Sequence, residues 1–135
     1  MRIFTTLGLA VALFLTVPVS SFAKDKVKVP AGIKMGQAAS GPMFTDSKGM
    51  TLYTFDKDTT PGKSVCNGPC AQNWPPLMAT AKAKTMGDWT VVTRDDGSKQ
   101  WAYKGKPLYT FAKDTKPGDT TGDGFLNGAW HTAKP

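Results

Sequence analysis

The segment Gly49 to Gly62 (Gly-Met-Thr-Leu-Tyr-Thr-Phe-Asp-Lys-Asp-Thr-Thr-Pro-Gly) returns as Gly105 to Gly118 (Gly-Lys-Pro-Leu-Tyr-Thr-Phe-Ala-Lys-Asp-Thr-Lys-Pro-Gly). The offset is 56 residues, Tyr53 to Tyr109, and ten of the fourteen positions are identical. The same offset carries Trp74 onto Trp130 without a gap. Two copies are too few for a stacked solenoid, which needs about three or more. The duplication therefore predicts two half-domains that share one core about an approximate two-fold axis.

Within each copy the pattern is strand, Lys-Gly turn, strand and long loop. Period-two alternation puts Leu52 with Thr54 on one face and Tyr53 with Phe55 on the other, and Leu108/Thr110 and Tyr109/Phe111 repeat it. Trp89 to Thr93 is β-branched and leads into Asp95-Asp96-Gly97-Ser98, a hairpin turn signal, so residues 89–111 read as a three-stranded meander. All acidic residues are aspartates, and 14 Gly and 10 Pro accompany them. That is turn chemistry, where glutamate would have suited helices. The expected fold is all-β, mainly antiparallel with long loops and little helix, in one small domain of two pseudo-symmetric repeats. Residues 24–40 read as an N-terminal arm with one strand near Ile33. Repeat 1 spans about 41–78 and repeat 2 about 97–135. The joining residues 79–96 hold the extra strand and a short helix over Ala79 to Gly87.

The N-terminus has the order of a secretory signal peptide: Arg2, an apolar run from Ile3 to Val19, and small residues at Ser21 and Ala23. Cleavage is expected after Ala23, with no permanent membrane span thereafter, because the run falls short of the roughly 20 residues a span needs. The expected location is periplasmic or secreted. The net charge is +7, and every basic residue except Arg2 and Arg94 is lysine. Nucleic-acid binding wants clustered Arg and Lys and is not indicated. The singly placed lysines suit a solvated surface that protects strand edges, or one that meets anionic envelope polymers.

The repeated signature is Tyr-x-Phe-x-x-Asp: Tyr53, Phe55, Asp58 and Tyr109, Phe111, Asp114. Two readings stand. In the structural one, each Asp accepts hydrogen bonds from backbone N–H groups of the turn that follows the strand. In the functional one, the six residues form an aromatic ligand floor rimmed by carboxylates, for a sugar or a cation. Cys66-Asn-Gly-Pro-Cys70 reads as a disulfide in an oxidising compartment, worth about 2 kcal/mol for so small a ring. Its mates in the second copy, Gly122 and Leu126, contain no sulfur. The alternative is copper or thiol redox chemistry at Cys66, Cys70 and His131, since soft donors suit Cu(I). Asp119-Thr-Thr-Gly-Asp123-Gly124 has the opening spacing of a calcium loop but ends on Trp130, where the loop needs Glu. No nucleophile elbow, zinc-protease helix or phosphate loop is present, so hydrolase or transferase chemistry is not expected.

The signature, Cys66 and Cys70 followed by Asn-Trp-Pro-Pro (Asn73 to Pro76), and Trp130-His131 together resemble the secreted repeat family of unknown function, predicted bacterial lipoproteins with a Tyr-x-aromatic-x-x-Asp motif. The likeness covers roughly Ile33 to the end. The chain departs from it by lacking the cysteine to which lipid is attached. The resemblance implies export and duplication and names no reaction. The expectation is a non-enzymatic periplasmic binding or envelope-associated protein, whose partner is an unidentified small ligand or envelope component. No cofactor is predicted, with copper the alternative.

Overall fold

The computed structural model describes Gly8, residues 10–15 and residues 27–135. The expected cleavage point after Ala23 lies outside the described residues, as does most of the segment before it. Among the described residues no helix is long and apolar enough to cross a membrane.

Strands β1 (Ile33–Ala38) and β2 (Gly41–Asp46) form an antiparallel hairpin with Ile33 opposite Asp46. The Asp46 carboxylate then takes the N–H groups of Lys48 and Met50, both at 2.9 Å, and turns the chain into β3 (Tyr53–Phe55). A long loop carries the short helix α1 (Pro69–Asn73). The second half repeats the plan. Strands β4 (Trp89–Thr93), β5 (Lys99–Tyr103) and β6 (Lys106–Pro107) make the expected antiparallel meander. Its first turn is closed by Ser98 N–H on Asp96 at 2.9 Å and by Gly97 at φ 84°. A loop with a single tight turn, α2 (Phe125–Gly128), leads to β7 (Trp130–Thr132). Among the described residues the chain is thus all-β, antiparallel, with two short helical turns.

The two halves are exchanged at the centre. Tyr53 and Tyr109 face each other across the pseudo-two-fold axis and trade both backbone bonds, at 2.7 and 3.0 Å. On its outer side each strand is completed by the tail of the other repeat. Strand β3 pairs with β7, Tyr53 opposite Thr132 and Phe55 opposite Trp130. The second motif strand is flanked by the first repeat's tail, through Leu77 N–H to Leu108, Thr110 N–H to Pro75 and Ala112 N–H to Asn73. A hydrogen-bonded strip of four segments results, so neither repeat finishes its own sheet.

Alternation then splits the core into two clusters. Leu52 and Leu108 join Ile33, Phe44, Trp89, Trp101, Tyr103 and Ala133 on one face. On the other, Tyr53, Phe55, Tyr109 and Phe111 join Cys66, Trp74 and Trp130. In this second cluster four rings stack in a column. Phe55 lies 4.2 Å from Trp130, Trp130 lies 3.7 Å from Trp74, and Trp74 lies 4.1 Å from Phe111. The axis passes between the two indoles. Each such pair adds about 0.5–1.5 kcal/mol beyond its buried area.

One sequence expectation changes. Residues 79–87 contain no helix; Ala79 N–H bonds Lys99, Ala83 N–H bonds Thr80, and Met86 pairs tightly with Trp89. The backbone is held by neighbouring strands, and helix forms instead at Pro69, a residue suited to a first helical position. The strand expected near Ile33 is present as β1. Strand β1 pairs along its whole length, Ile33 is buried, and Trp89 Nε1 donates to the Lys28 carbonyl at 3.0 Å.

Gly122 abuts the ring column. A Cβ built there would meet Trp74 Cη2 at 2.6 Å and Cζ3 at 2.9 Å. Gly122→Ala is expected to cost about 1–3 kcal/mol by overpacking. The measure is a lower urea midpoint at unchanged m-value; an unchanged midpoint would show the column to be loosely packed.

Candidate functional site

The chain leaves each motif strand in a tight turn, with Asp58 N–H on Phe55 at 3.0 Å and Asp114 N–H on Phe111 at 3.1 Å. This points both carboxylates inward. Asp58 accepts Val65 N–H at 2.8 Å on one oxygen and the Tyr109 hydroxyl at 2.6 Å on the other. Asp114 accepts Thr121 N–H at 3.0 Å and the Thr121 hydroxyl on one oxygen, and the Tyr53 hydroxyl at 2.6 Å on the other. Each tyrosine is therefore bound to the aspartate of the opposite repeat. The six motif residues expected at a site are brought together, but around one another in the interior, and none is more than 7% exposed.

Burial, reinforced by the bond to Asp114, holds the Tyr53 hydroxyl well above its ordinary pKa. Burial and the bond to Asp58 do the same to Tyr109. Desolvation raises Asp58 as well, opposed by hydrogen bonds from Tyr109 and Val65 and by the fields of Arg94 and Lys106. The two halves differ at this point. Buried Arg94 donates from Nη1 to Ser64 Oγ at 2.9 Å and to Gln100 Oε1 at 2.7 Å. Its Nη2 reaches the Cys66 carbonyl at 2.6 Å and Asn67 Oδ1 at 3.1 Å. Ser64 Oγ lies 2.6 Å from the Tyr109 hydroxyl, so the guanidinium extends the lock of the first loop. Arg94 was not singled out from the sequence. Its one signal is that a lone arginine among lysines marks a place needing a planar fork of donors.

Cys66 and Cys70 are joined in a disulfide across the start of α1. His131 stands on β7 opposite Thr54, with Nε2 2.8 Å from Asp56 Oδ2 and both side chains half-exposed. Among the described residues no three or more His, Cys, Asp and Glu side chains gather as a metal-holding group, so the structure does not assemble Cys66, Cys70 and His131. Asp119 and Asp123 are likewise turned to the chain: Asp119 takes the N–H groups of Thr115 and Lys116, and Asp123 that of Thr132.

One solvent-facing feature stands out beside the ring column. Phe125 and Leu126 are 43% and 58% exposed at a turn where Leu126 (φ 54°) and Asn127 (φ 54°) both have left-handed backbone. Leucine is a poor occupant of that region, at a cost of about 1–2 kcal/mol. The turn borders an open cavity of about 230 Å³ lined by Trp74, Phe111, Phe125, Leu126, Cys70 and Lys113. Lys113 Nζ stands 6.0 Å from the Phe125 ring centre. In the first repeat the mates of Phe125 and Leu126 are Pro69 and Cys70, which open α1, so this surface belongs to one half alone.

The buried hydroxyls set an alkaline signature. The folded protein keeps the Tyr53 proton after the unfolded chain, with pKa near 10, has released it. The stabilisation is complete below pH 10 and falls above it by about 1.4 kcal/mol per pH unit per tyrosine. At pH 8, Tyr53→Phe is expected to cost about 1–3 kcal/mol, because a buried Asp114 oxygen loses its donor. Above pH 10 that gap closes. Urea midpoints of both proteins across pH 8–11 check this, and parallel curves would contradict it.

No curated protein and no solved structure matches the chain. A family model described as a secreted repeat of unknown function matches twice, over residues 34–78 and 90–134, each match taking in most of a first strand and ending in the exchanged tail. The chain belongs to this secreted repeat family and carries two copies of its repeat.

Proposed function

We propose that the protein is a periplasmic, non-enzymatic binding protein, released by cleavage after Ala23, that recognises its partner through the Phe125–Leu126 turn and the cavity beside it. The observation that carries this reading is a leucine held in left-handed backbone with more than half of its side chain in water. Such a residue costs stability through its backbone and returns little through burial. Strained, exposed apolar residues of this kind are drawn from recognition sites, where the strain is offset elsewhere in the fold. The cavity is smaller than the roughly 300–1,000 Å³ of cofactor sites but larger than the roughly 150 Å³ that accepts benzene. It suits one bulky apolar or aromatic group.

In this reading the Tyr-x-Phe-x-x-Asp motif acts at one remove. Phe111 contributes to the cavity wall, and the Tyr53–Asp114 bond fixes the start of the loop that presents the turn. Export and the family's secreted character agree with a partner in the cell envelope.

The test uses 8-anilinonaphthalene-1-sulfonate, a fused-ring anion, on the folded protein. Saturable one-to-one binding is expected, and Leu126→Gly is expected to weaken it several-fold. The same change relieves the backbone, so stability rises by about 0.5–1 kcal/mol. Phe125→Ser is expected to weaken binding and to cost about 1–2 kcal/mol of stability, because the ring also packs on Trp74 and Phe111. Undiminished binding in both variants would remove the turn as the recognition face.

A further inference from the structure

Lysines that stand apart in the sequence converge on one cavity. Lys104 and Lys106 flank Gly105 in the β5–β6 turn, and Lys134 follows β7. With Thr54, Tyr103 and Ala133 they line a space of about 180 Å³ that no carboxylate lines. All three lysines are exposed, and none is ion-paired within the fold: the only salt bridge among the described residues joins His131 to Asp56.

The position of Lys104 is specified by the backbone. It has φ 49° and is followed by Gly105 at φ 81°, the pair of left-handed residues of a tight hairpin turn. The first of these places is ordinarily taken by Asn, Asp or Gly. The Lys104 ammonium sits 5.2 Å over the Tyr103 ring centre. Lys134 Nζ makes only a long contact, 3.4 Å, with the Ser40 carbonyl. Lys104 and Lys106 also border a neighbouring cavity with Asp56 and Asp58. Those carboxylates are already engaged, Asp58 by Val65 and Tyr109 and Asp56 by His131.

The duplication supplies an internal control. The first-repeat mates of Tyr103, Lys106, Ala133 and Lys134 are Ser47, Met50, Leu77 and Met78. Ser47, Leu77 and Met78, with Lys84, line a cavity of about 560 Å³. Lys104 keeps a lysine, Lys48, as its mate, whereas Met50 and Met78 stand in the places of Lys106 and Lys134, so the fold does not demand ammonium groups at those two positions.

We infer that the Lys104–Lys106–Lys134 cavity is a binding site for a phosphate-type oxyanion. Three ammonium groups supply charge-assisted donors, and Thr54 supplies a hydroxyl, for a tetrahedral dianion. Two sources carry this chemistry, free phosphate and the phosphate headgroup of an anionic lipid surface. The site is independent of the apolar turn.

Inorganic phosphate titrated into ¹⁵N-labelled protein at low ionic strength is expected to give saturable shifts confined to the amides of Thr54, Lys104, Lys106, Ala133 and Lys134. Lys104→Gln combined with Lys134→Gln is expected to lower the affinity about tenfold. Lys63→Gln combined with Lys116→Gln removes the same charge elsewhere and is expected to leave it unchanged. Diffuse shifts, or equal loss in both double variants, would overturn the site in favour of a general cationic field. Sedimentation with phosphatidylglycerol vesicles, against phosphatidylcholine vesicles, identifies the source. Vesicle binding that phosphate displaces, and that Lys104→Gln with Lys134→Gln abolishes, supports the headgroup. Localised phosphate shifts without vesicle binding support free phosphate.

Discussion

The structure depends on two buried hydrogen bonds that cross it in opposite directions, Tyr53 to Asp114 and Tyr109 to Asp58. A carboxylate taken out of water is costly unless its lone pairs are met. Here each aspartate meets its own loop's backbone with one oxygen and the other repeat's tyrosine with the second. The bond therefore does two jobs: it closes the loop after its strand and fastens that loop to the opposite half. Removing either partner would leave a buried polar group without its match, a larger loss than the bond itself contributes. This is why the motif must appear twice in the chain, since half of each lock comes from each copy.

The remaining contacts at the centre follow the same rule of exchange. Strand β3 is flanked by the tail of repeat 2, and the second motif strand by the tail of repeat 1. Gly49 lies against Pro117, and Gly105 lies against Pro61. The indoles of Trp74 and Trp130 meet face to face on the axis, with the cost that Trp130 Nε1 is buried without a hydrogen-bond partner among the described residues. A unit built this way cannot bury its apolar face alone. The duplication is the condition for having a core.

Much of this was legible in the sequence, for definable reasons. A fixed offset with identical Leu, Tyr, Phe and Asp announces a shared environment, and alternation says which of them share a face. The Asp-Asp-Gly-Ser turn and the short Cys-to-Cys spacing are local signals, and both are realised as a hairpin and a disulfide. What periodicity cannot state is which strand lies beside which. The exchange of tails, and with it the partner of each Asp, is therefore visible only in three dimensions. Arg94 was hidden because a charged residue beside a turn ordinarily faces water; its burial depends on acceptors from residues 64–67, far along the chain. The grouping of Lys104, Lys106 and Lys134 was hidden likewise, because β7 brings a C-terminal lysine beside a turn some thirty residues earlier.

The duplicated interior also explains where the halves are free to differ. Positions that face the axis carry the same residue in both copies: Leu52 and Leu108, Tyr53 and Tyr109, Phe55 and Phe111, Asp58 and Asp114, Trp74 and Trp130. A change at one of these must be matched by its counterpart across the axis, so each constrains the other. The loops carry no such coupling. One is stapled by Cys66–Cys70 and packed on Arg94. Its mate has neither, and reaches Trp74 through Gly122 and the left-handed turn at Leu126. The same holds for the β-turns, where Ser47 and Met50 of one copy stand against Tyr103 and Lys106 of the other. Symmetry is enforced by the buried locks and relaxed at the surface. The asymmetric surfaces, the apolar turn and the lysine cavity, are thus the places where a chain of this design can acquire recognition without disturbing the contacts that fold it.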